Sequence, residues 1–243
     1  MSTKVIAHRG NSSQAPENTK AAFLSGLDAG AQGTELDVHL TRDGIPVVIH
    51  DPTLDRTTNG QGAIADLQWR ELAHLDAGAW FGPEFEGQRI MRLSEALMLL
   101  DHKDHLINVE LKSGKQIDPE YETAVLREVI GCDMLDKVLF SSFDHYLINR
   151  LVRVEPRAKA GILFYSLLYR PWEYAKMVGA TSLHPYWQAV HPVWVKRAQE
   201  IGIDIHVYTV DDPQVAKGLA QLGVTSVITN KPKLILDHLG KVE

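Results

Sequence analysis

The segment GTELDVHLTRDGIPVVIHD, residues 33–51, contains two apolar runs, 33–38 and 45–50, separated by a few turn-type residues. A crossover helix between parallel strands needs a dozen or more residues, so the four residues 41–44 cannot hold one. The second run is therefore predicted to return antiparallel as a hairpin, with its turn near Asp43-Gly44. This return places His50 beside Asp37.

Outward from this hairpin, short β-branched runs alternate with helical patterns along the rest of the chain, which favours a parallel sheet covered by helices. The predicted strands are 4–7, 33–38, 106–111, 138–141, 158–164, 181–184, 203–209 and 225–229. The predicted helices include 118–131, 143–154, 171–178, 192–201, 213–222 and 232–239, and the last four begin at proline, which suits the first helical position. An earlier helix follows Asn18 as its N-cap and is closed by Gly30.

Eight strands without the hairpin return, in a chain of 243 residues, predict a (β/α)₈ (TIM) barrel, which typically needs about 250 residues. We expect a single domain over residues 1–243. Residues 51–92 show no clean strand period and are rich in Gly, Asn, Thr and aromatics, among them Trp69, Trp80, Phe81 and Phe85. A segment this long predicts a functional insertion, interpreted as a small cap whose aromatics form its core.

Polar residues collect where the predicted strands end, which is the face of such a barrel that carries chemistry. Glu35 and Asp37 point to one side of their strand, and Glu110 shares a face with Lys112 on the next barrel strand. Three inward carboxylates would repel each other if ionised, and a bound divalent cation removes that penalty; all-oxygen ligands suit Mg²⁺ or Ca²⁺. A purely structural network of Glu35 and Asp37 with Arg9 and Lys112 is the alternative.

The cationic side chains Arg9 and Lys112 on the same rim suggest an anionic substrate such as a phosphate ester. His8 and His50 stand at strand ends next to charged residues and can exchange protons near neutral pH. Together these residues predict metal-assisted chemistry at a phosphate.

Composition narrows the remaining choices. The net charge of −6 disfavours a nucleic-acid partner, and the single cysteine, Cys132, excludes an intramolecular disulfide and a cysteine-based zinc site. The first ten residues lack the apolar stretch of a secretory signal, and no apolar run approaches the roughly 18 residues of a membrane span, so a cytoplasmic location is expected. No strand is followed by Gly-x-Gly-x-x-Gly, which disfavours a dinucleotide-binding fold.

The order and spacing of these motifs resemble the glycerophosphodiester phosphodiesterase family, from His8 to Thr229-Asn230. The motifs are HRG (8–10), APENT (15–19), ELDV (35–38), HD (50–51) with LDRTT (54–58), NVELK (108–112), SSF (141–143), LHP (183–185) and YTV (208–210). The resemblance implies a barrel related to phosphatidylinositol phospholipase C and hydrolysis of glycerophosphodiesters to sn-glycerol 3-phosphate and an alcohol.

Carried over by position, the resemblance also implies site roles. It implies metal ligands at Glu35, Asp37 and Glu110, an acid–base pair at His8 and His50 with His8 favoured as the base, and phosphate contacts from Arg9 and Lys112. Glu17 is expected near the glycerol or the metal, and Tyr208 as a wall of the pocket. The expected cofactor is one divalent cation, Mg²⁺ before Ca²⁺.

Two departures from the family pattern, Tyr208 and Asp211, lie in Tyr208-Thr209-Val210-Asp211, where the family often has Trp-Thr-Val-Asn. Neither change is expected to touch the catalytic set, so the departures bear on substrate preference. Two other functions remain open: a lysophospholipase D-type enzyme acting on lipid-bearing diesters, which needs an apolar channel, and a non-catalytic phosphodiester-binding barrel.

Overall fold

The computed structural model describes residues 3–113 and 120–240. Its single sheet has, in chain order, strands Lys4–His8 (β1), Gly33–Leu40 (β2), Pro46–Val48 (β3), Met91–Arg92 (β4), Leu106–Leu111 (β5), Val138–Ser142 (β6), Lys159–Phe164 (β7), Ser182–Pro185 (β8), Asp204–Val207 (β9) and Ser226–Thr229 (β10). All strands except β3 and β4 run parallel and close into a barrel, because β1 pairs with both β2 and β10. The predicted eight-stranded (β/α)₈ barrel is confirmed.

Helices cover the barrel between its strands. Their bounds are Lys20–Asp28 (α1), Trp69–Leu72 (α2), Leu93–Leu99 (α3), Tyr121–Gly131 (α4), His145–Val154 (α5), Pro171–Val178 (α6), Pro192–Glu200 (α7), Pro213–Leu222 (α8) and Pro232–Leu239 (α9). The four proline starts are confirmed, whereas α2 and α3 were not predicted. In residues 3–113 and 120–240, no helix combines the length and the apolar character that crossing a membrane requires.

Two predicted helix starts are wrong. The helix expected at residue 143 begins at His145, because the Asp144 side chain accepts a hydrogen bond from the backbone N–H of Leu147 at 3.0 Å and so acts as the N-cap. The N-cap of α1 is Thr19, not Asn18: Thr19 Oγ1 accepts from the backbone N–H of Ala22. The predicted start of α4 at residue 118 lies outside the described residues.

The hairpin forms as predicted. β3 runs antiparallel to β2, with Val48 opposite Val38, and the chain reverses at Gly44, whose φ of 72° is readily available only to glycine. The backbone N–H of Ile49 donates to the carbonyl of Asp37 at 3.0 Å. His50 is therefore returned to the level of Asp37, where the sequence predicted it.

Alternation along β2 and β5 decides which side chains face the barrel interior. Leu36, Val38 and Val109 belong to the main apolar core between sheet and helices. Because neighbouring residues of a strand point to opposite faces, Glu35, Asp37 and Glu110 point into the barrel.

The 51–92 segment has a small core of its own, shared with β3. This core is aliphatic, with Val47, Ile49, Leu54, Ile64, Leu72, Ala77 and Ile90 at its centre and Trp69 packed against it. The expectation of an aromatic core is wrong for the other aromatics: Trp80, Phe81 and Phe85 contact one another edge to face, and Trp80 and Phe81 are exposed. The segment returns to the sheet through β4, which pairs with β3.

Candidate active site

Three buried carboxylates meet at the carboxyl end of the barrel strands. Asp37 on β2 lies directly opposite Glu110 on β5, and Glu35 precedes Asp37 by two residues on the same face. One oxygen from each of the three lies within 4.8 Å of the others, and all three residues are buried.

The three carboxylates differ in their electrostatics. Burial, together with the charge of Asp37, raises the pKa of Glu35 well above its usual value and that of Glu110 to about 7. Burial acts on Asp37 in the same direction, but Lys112 and Arg9 overcome it and hold the pKa of Asp37 below its usual value. In the ion-free protein, the negative charge of the cluster is therefore concentrated on Asp37.

Arg9 and Lys112 are the cations that stabilise Asp37. Lys112 Nζ lies 2.8 Å from Asp37 Oδ1 and also contacts Glu110 Oε1, while Arg9 Nε lies 3.2 Å from Asp37 Oδ2. Arg9 Nη1 additionally donates to Glu17 at 2.8 Å. The structural network considered from the sequence thus exists around Asp37.

That network does not extend to Glu35. Glu35 Oε2 accepts from the backbone N–H of Arg9 at 2.9 Å, but Glu35 Oε1 and the amide oxygen of Asn108 are buried and have no hydrogen-bond donor among the residues that the structure describes. Buried acceptors without donors are costly and suggest a missing partner.

The charge balance and the ligand type both fit a divalent cation. The site contains five carboxylates and three cationic side chains, so two negative charges remain if all five carboxylates are ionised. The carboxylates are Glu17, Glu35, Asp37, Asp51 and Glu110, and the cations are Arg9, Arg56 and Lys112. Carboxylate and amide oxygens suit a hard ion such as Mg²⁺ or Ca²⁺. The acidic cluster is therefore compatible with one divalent metal ion.

His8 lies at the end of β1, against this cluster. Its Nδ1 is 2.7 Å from Asn230 Oδ1, and its Nε2 is 3.9 Å from Glu35 Oε2. Burial, reinforced by Arg9, lowers the pKa of His8 to about 4, so the ring is neutral at pH 7.

The turn after His8 depends on Gly10. Arg9 and Gly10 both have positive φ, 56° and 82°, and a Cβ on Gly10 would lie 2.5 Å from the carbonyl carbon of Ala22 in α1. Glycine at this position lets the turn pack on α1.

His50 follows β3 and is held from both sides. Its Nδ1 lies 2.7 Å from Asp51 Oδ1, and its carbonyl oxygen accepts from His39 Nε2 at 2.9 Å. Burial lowers the pKa of His50, while Asp37 and the bond to Asp51 act against this shift.

Glu17 and Tyr208 frame the cluster. Glu17 accepts from Arg9 and from Arg56 of the 51–92 segment, so it joins the barrel to that segment. Tyr208 directly follows β9 and packs with Phe143, Tyr165 and Tyr186, with ring centroids about 6 Å apart. All nine residues predicted for the site thus lie at one end of the barrel.

Two other residues that contact the site were not identified from the sequence. Asn18 Nδ2 donates to Asp37 Oδ2 at 2.8 Å, and Arg56 Nε donates to Asp51 at 2.7 Å. Asn18 and Arg56 stand within the recognised motifs, which was the available signal. Asp211 accepts a hydrogen bond from Asn230, whose amide oxygen lies against His8, so one residue links Asp211 to the predicted catalytic set.

Residues 8–234 match the sequence profile of the Glycerophosphoryl diester phosphodiesterase family. The chain belongs to this family. It is 40% identical over 241 residues, 99% of either chain, to a glycerophosphodiester phosphodiesterase of Caldanaerobacter subterraneus subsp. tengcongensis. It also resembles the structure of an Oleispira antarctica phosphodiesterase in complex with the product sn-glycerol-3-phosphate, with TM-score 0.92, 30% identity, and 99% of this chain and 98% of that chain covered.

Membership in the glycerophosphoryl diester phosphodiesterase family confirms the resemblance seen in the motifs. The matched residues run from His8, at the end of the first strand, past Asn230, at the end of the last one. The whole ring of strand ends that carries the site therefore lies within the family match.

Proposed function

We propose that the protein hydrolyses small, water-soluble glycerophosphodiesters to sn-glycerol 3-phosphate and an alcohol, with one divalent cation as cofactor. The observation that carries this proposal is the placement of two histidines beside a buried carboxylate cluster and two cationic side chains. The similarity to an enzyme in complex with sn-glycerol-3-phosphate supports the product.

Glu35, Asp37 and Glu110 are the residues that would hold the cation. Bound there, it would supply positive charge to offset the charge that develops on the phosphate during displacement. Mg²⁺ is the expected ion, and Ca²⁺ is the alternative.

His8 is assigned as the general base. Its Nδ1 faces an amide oxygen, so Nδ1 carries the hydrogen and Nε2 keeps its lone pair on the side of the carboxylates. The ring is neutral at pH 7 and can accept a proton, either from the glycerol 2-hydroxyl, giving a cyclic phosphate that water then opens, or from an attacking water.

His50 is assigned as the general acid. Its Nδ1–H points to the carboxylate of Asp51, which favours the imidazolium form and fixes Nε2 as the other proton-bearing atom. A protonated His50 would give its proton to the departing alkoxide.

Arg9 and Lys112 are assigned to the phosphate. Both are largely buried at the rim of the cluster, and a guanidinium can contact two phosphate oxygens while an ammonium acts as a point charge. We assign Glu17 and Tyr208 to the substrate as well, Glu17 toward the glycerol and Tyr208 toward the apolar wall of the pocket.

A lipid-bearing diester is the second candidate substrate, because an apolar groove exists. Leu167, Leu168, Trp172, Val193 and Trp194 line a cavity of about 310 Å³. One lining residue, Leu167, follows Tyr165 by two positions in the chain, and the ring of Tyr165 packs on Tyr208. An acyl chain of a lysophospholipid is the kind of group that such a groove accepts.

A substrate panel tests the proposal and separates the two candidates. We expect glycerophosphocholine and glycerophosphoethanolamine to release sn-glycerol 3-phosphate with added Mg²⁺ or Ca²⁺, and the release to stop after exhaustive chelation. Full turnover in metal-free protein would overturn the cofactor assignment. Faster turnover of lysophosphatidylcholine would favour the lipid-bearing substrate, and binding without turnover of any diester would favour a non-catalytic barrel.

A further inference from the structure

The His8 ring is connected to a carboxylate through an amide. Asn230 follows β10, and its Oδ1 lies 2.7 Å from His8 Nδ1 and 2.8 Å from Ser12 Oγ. Its Nδ2 donates to Asp211 Oδ2 at 2.6 Å. The chain of contacts therefore runs from Asp211 through Asn230 to His8.

Asp211 itself is held rigidly. Its Oδ1 accepts from the backbone N–H of Asn230 and from Thr229 Oγ1, both at 2.8 Å. Oδ2 is thereby directed at the amide of Asn230.

The chemistry of this chain permits one arrangement of hydrogens. An ionised carboxylate only accepts, so the NH₂ group of Asn230 must face Asp211 and its oxygen must face His8. An amide oxygen cannot donate, so His8 Nδ1 must carry the hydrogen. In the neutral ring, Nε2 is then the unprotonated nitrogen. Each member of the chain thus determines the orientation of the next.

We propose that Asp211 is a positioning residue, which fixes the amide orientation of Asn230 and thereby holds His8 in the tautomer with a free Nε2. This inference rests on the proposed function only for its consequence in catalysis. Without Asp211, the His8 tautomer that can accept a proton at Nε2 is no longer selected.

The variant Asp211→Asn tests this arrangement with almost no change in shape. The oxygen of the new amide at position 211 stays against the backbone N–H of Asn230, so its NH₂ group faces the Asn230 side chain. The amide of Asn230 must then turn its oxygen toward residue 211 and its NH₂ toward His8. His8 Nδ1 becomes an acceptor, and the hydrogen moves to Nε2.

The readout is the ¹⁵N spectrum of histidine-labelled protein without substrate or metal ion, in which protonated and unprotonated ring nitrogens resonate in separate regions. His8 signals are assigned by their loss in His8→Asn. We expect hydrogen on Nδ1 in the natural protein and on Nε2 in Asp211→Asn. In turnover of glycerophosphocholine, we expect kcat to fall by about 10²- to 10⁴-fold while KM changes little.

The double variant Asp211→Asn with Asn230→Asp is the rescue. The NH₂ group of the amide at position 211 then donates to the carboxylate at position 230, which again accepts from His8 Nδ1–H, so the tautomer and most of the turnover should return. Asp212→Asn is the matched control, because Asp212 is the exposed neighbour that caps α8 through Gln214 and Val215. It should leave both readouts unchanged.

The outcomes separate this inference from the proposed function. An unchanged His8 tautomer in Asp211→Asn, or a double variant that stays in the altered tautomer, overturns the role of Asp211 whatever the activity. A tautomer that switches and returns as expected, in a protein that cleaves no glycerophosphodiester, supports the positioning role and rejects the proposed function.

Discussion

At the scale of single residues, Glu110 and Asp37 belong to one carboxylate cluster, but their electrostatic surroundings differ. Asp37 forms ion pairs with both Lys112 and Arg9, whereas Glu110 pairs with Lys112, and burial raises the pKa of Glu110 to about 7. Glu110 therefore bears much of the unrelieved repulsion that a cation would remove.

We predict that Glu110→Gln lowers cation affinity and turnover together, because it removes one ligand and keeps the shape of the side chain. Cation binding measured by calorimetry and release of sn-glycerol 3-phosphate check the two effects. Glu200→Gln, an exposed position on α7, is the control and should change neither. Undiminished cation affinity in Glu110→Gln would remove Glu110 from the ligand set.

The two histidines can be distinguished by the leaving group. His8→Ala and His50→Ala should each lower turnover of glycerophosphocholine by at least ~10²-fold, and exposed His74→Ala should not. In a nitrophenyl ester of glycerol phosphate, the leaving group is nitrophenolate, which departs without being protonated. This substrate should therefore restore turnover in His50→Ala but not in His8→Ala. Rescue of the His8 variant instead would reverse the assignment of acid and base.

The sequence predicted these residues to different extents for a physical reason. Glu35, Asp37 and Glu110 could be located because side chains alternate along a strand and parallel strands end together. Asn18 could not be located by this rule, because its φ of 58° and its bond to Asp37 arise in a loop, where no period applies. The partnership of Asp211 with Asn230 joins two separate loops and has no local signal.

At the scale of elements, the 51–92 segment is attached to the site by Arg56. Its guanidinium binds Glu17 through Nη1 and Nη2 and Asp51 through Nε and Nη2, at 2.7–3.0 Å. Asp51 in turn holds His50. This segment was predicted from its length, its composition and the absence of a strand period. Its aliphatic core was not predicted, because aromatic content does not tell which side chains are buried.

We predict that Arg56→Ala raises KM for glycerophosphocholine and lowers kcat, because Glu17 and Asp51 lose the cation that orients them. The size of the effect should exceed that of Arg89→Ala. Arg89 is an exposed arginine of the same segment, and its ion pair with Asp76 is long, at 3.5 Å. Steady-state kinetics of both variants, with thermal unfolding to show an intact fold, measure the difference. Equal kinetics in the two variants would mean that the segment only covers the barrel.

At the scale of the whole molecule, closure of the barrel brings distant parts of the chain together. The first strand and the loop after the last strand meet at His8 and Asn230, which are 222 residues apart in sequence. The same closure buries polar side chains deep in the interior: His184 and His206 lie with ring centroids 4.8 Å apart and bind Ser182 and Ser226. Gly161 leaves room for them, since a Cβ there would lie 2.3 Å from the His184 ring.

These interior histidines make the fold sensitive to acid. Burial lowers the pKa of His206 to about 4 and that of His184 well below its ordinary value near 6.5. Between about pH 6.5 and 4 the unfolded chain binds protons at these positions and the folded chain does not. These two histidines therefore do not lower the free energy of unfolding above pH 6.5, and they lower it progressively as the pH falls toward 4. Glu35 and Glu110, with raised pKa values, act in the opposite direction over part of this range.

A difference between variants isolates the contribution of the interior. His206→Asn can keep the hydrogen bond to Ser226 but cannot take up a proton, so the free energy of unfolding should fall less steeply with acid than in the natural protein. The slopes should differ by up to about 1.4 kcal/mol per pH unit between about pH 6.5 and 4, the value for one titrating group. Urea unfolding at a series of pH values measures both slopes, and exposed His74→Asn should behave as the natural protein does. Identical slopes in His206→Asn and the natural protein would mean that His206 takes up its proton in the folded state. The proton would then be accommodated through water or by a shift of the ring toward Ser226. In that case the interior of the barrel is more polar than its packing indicates.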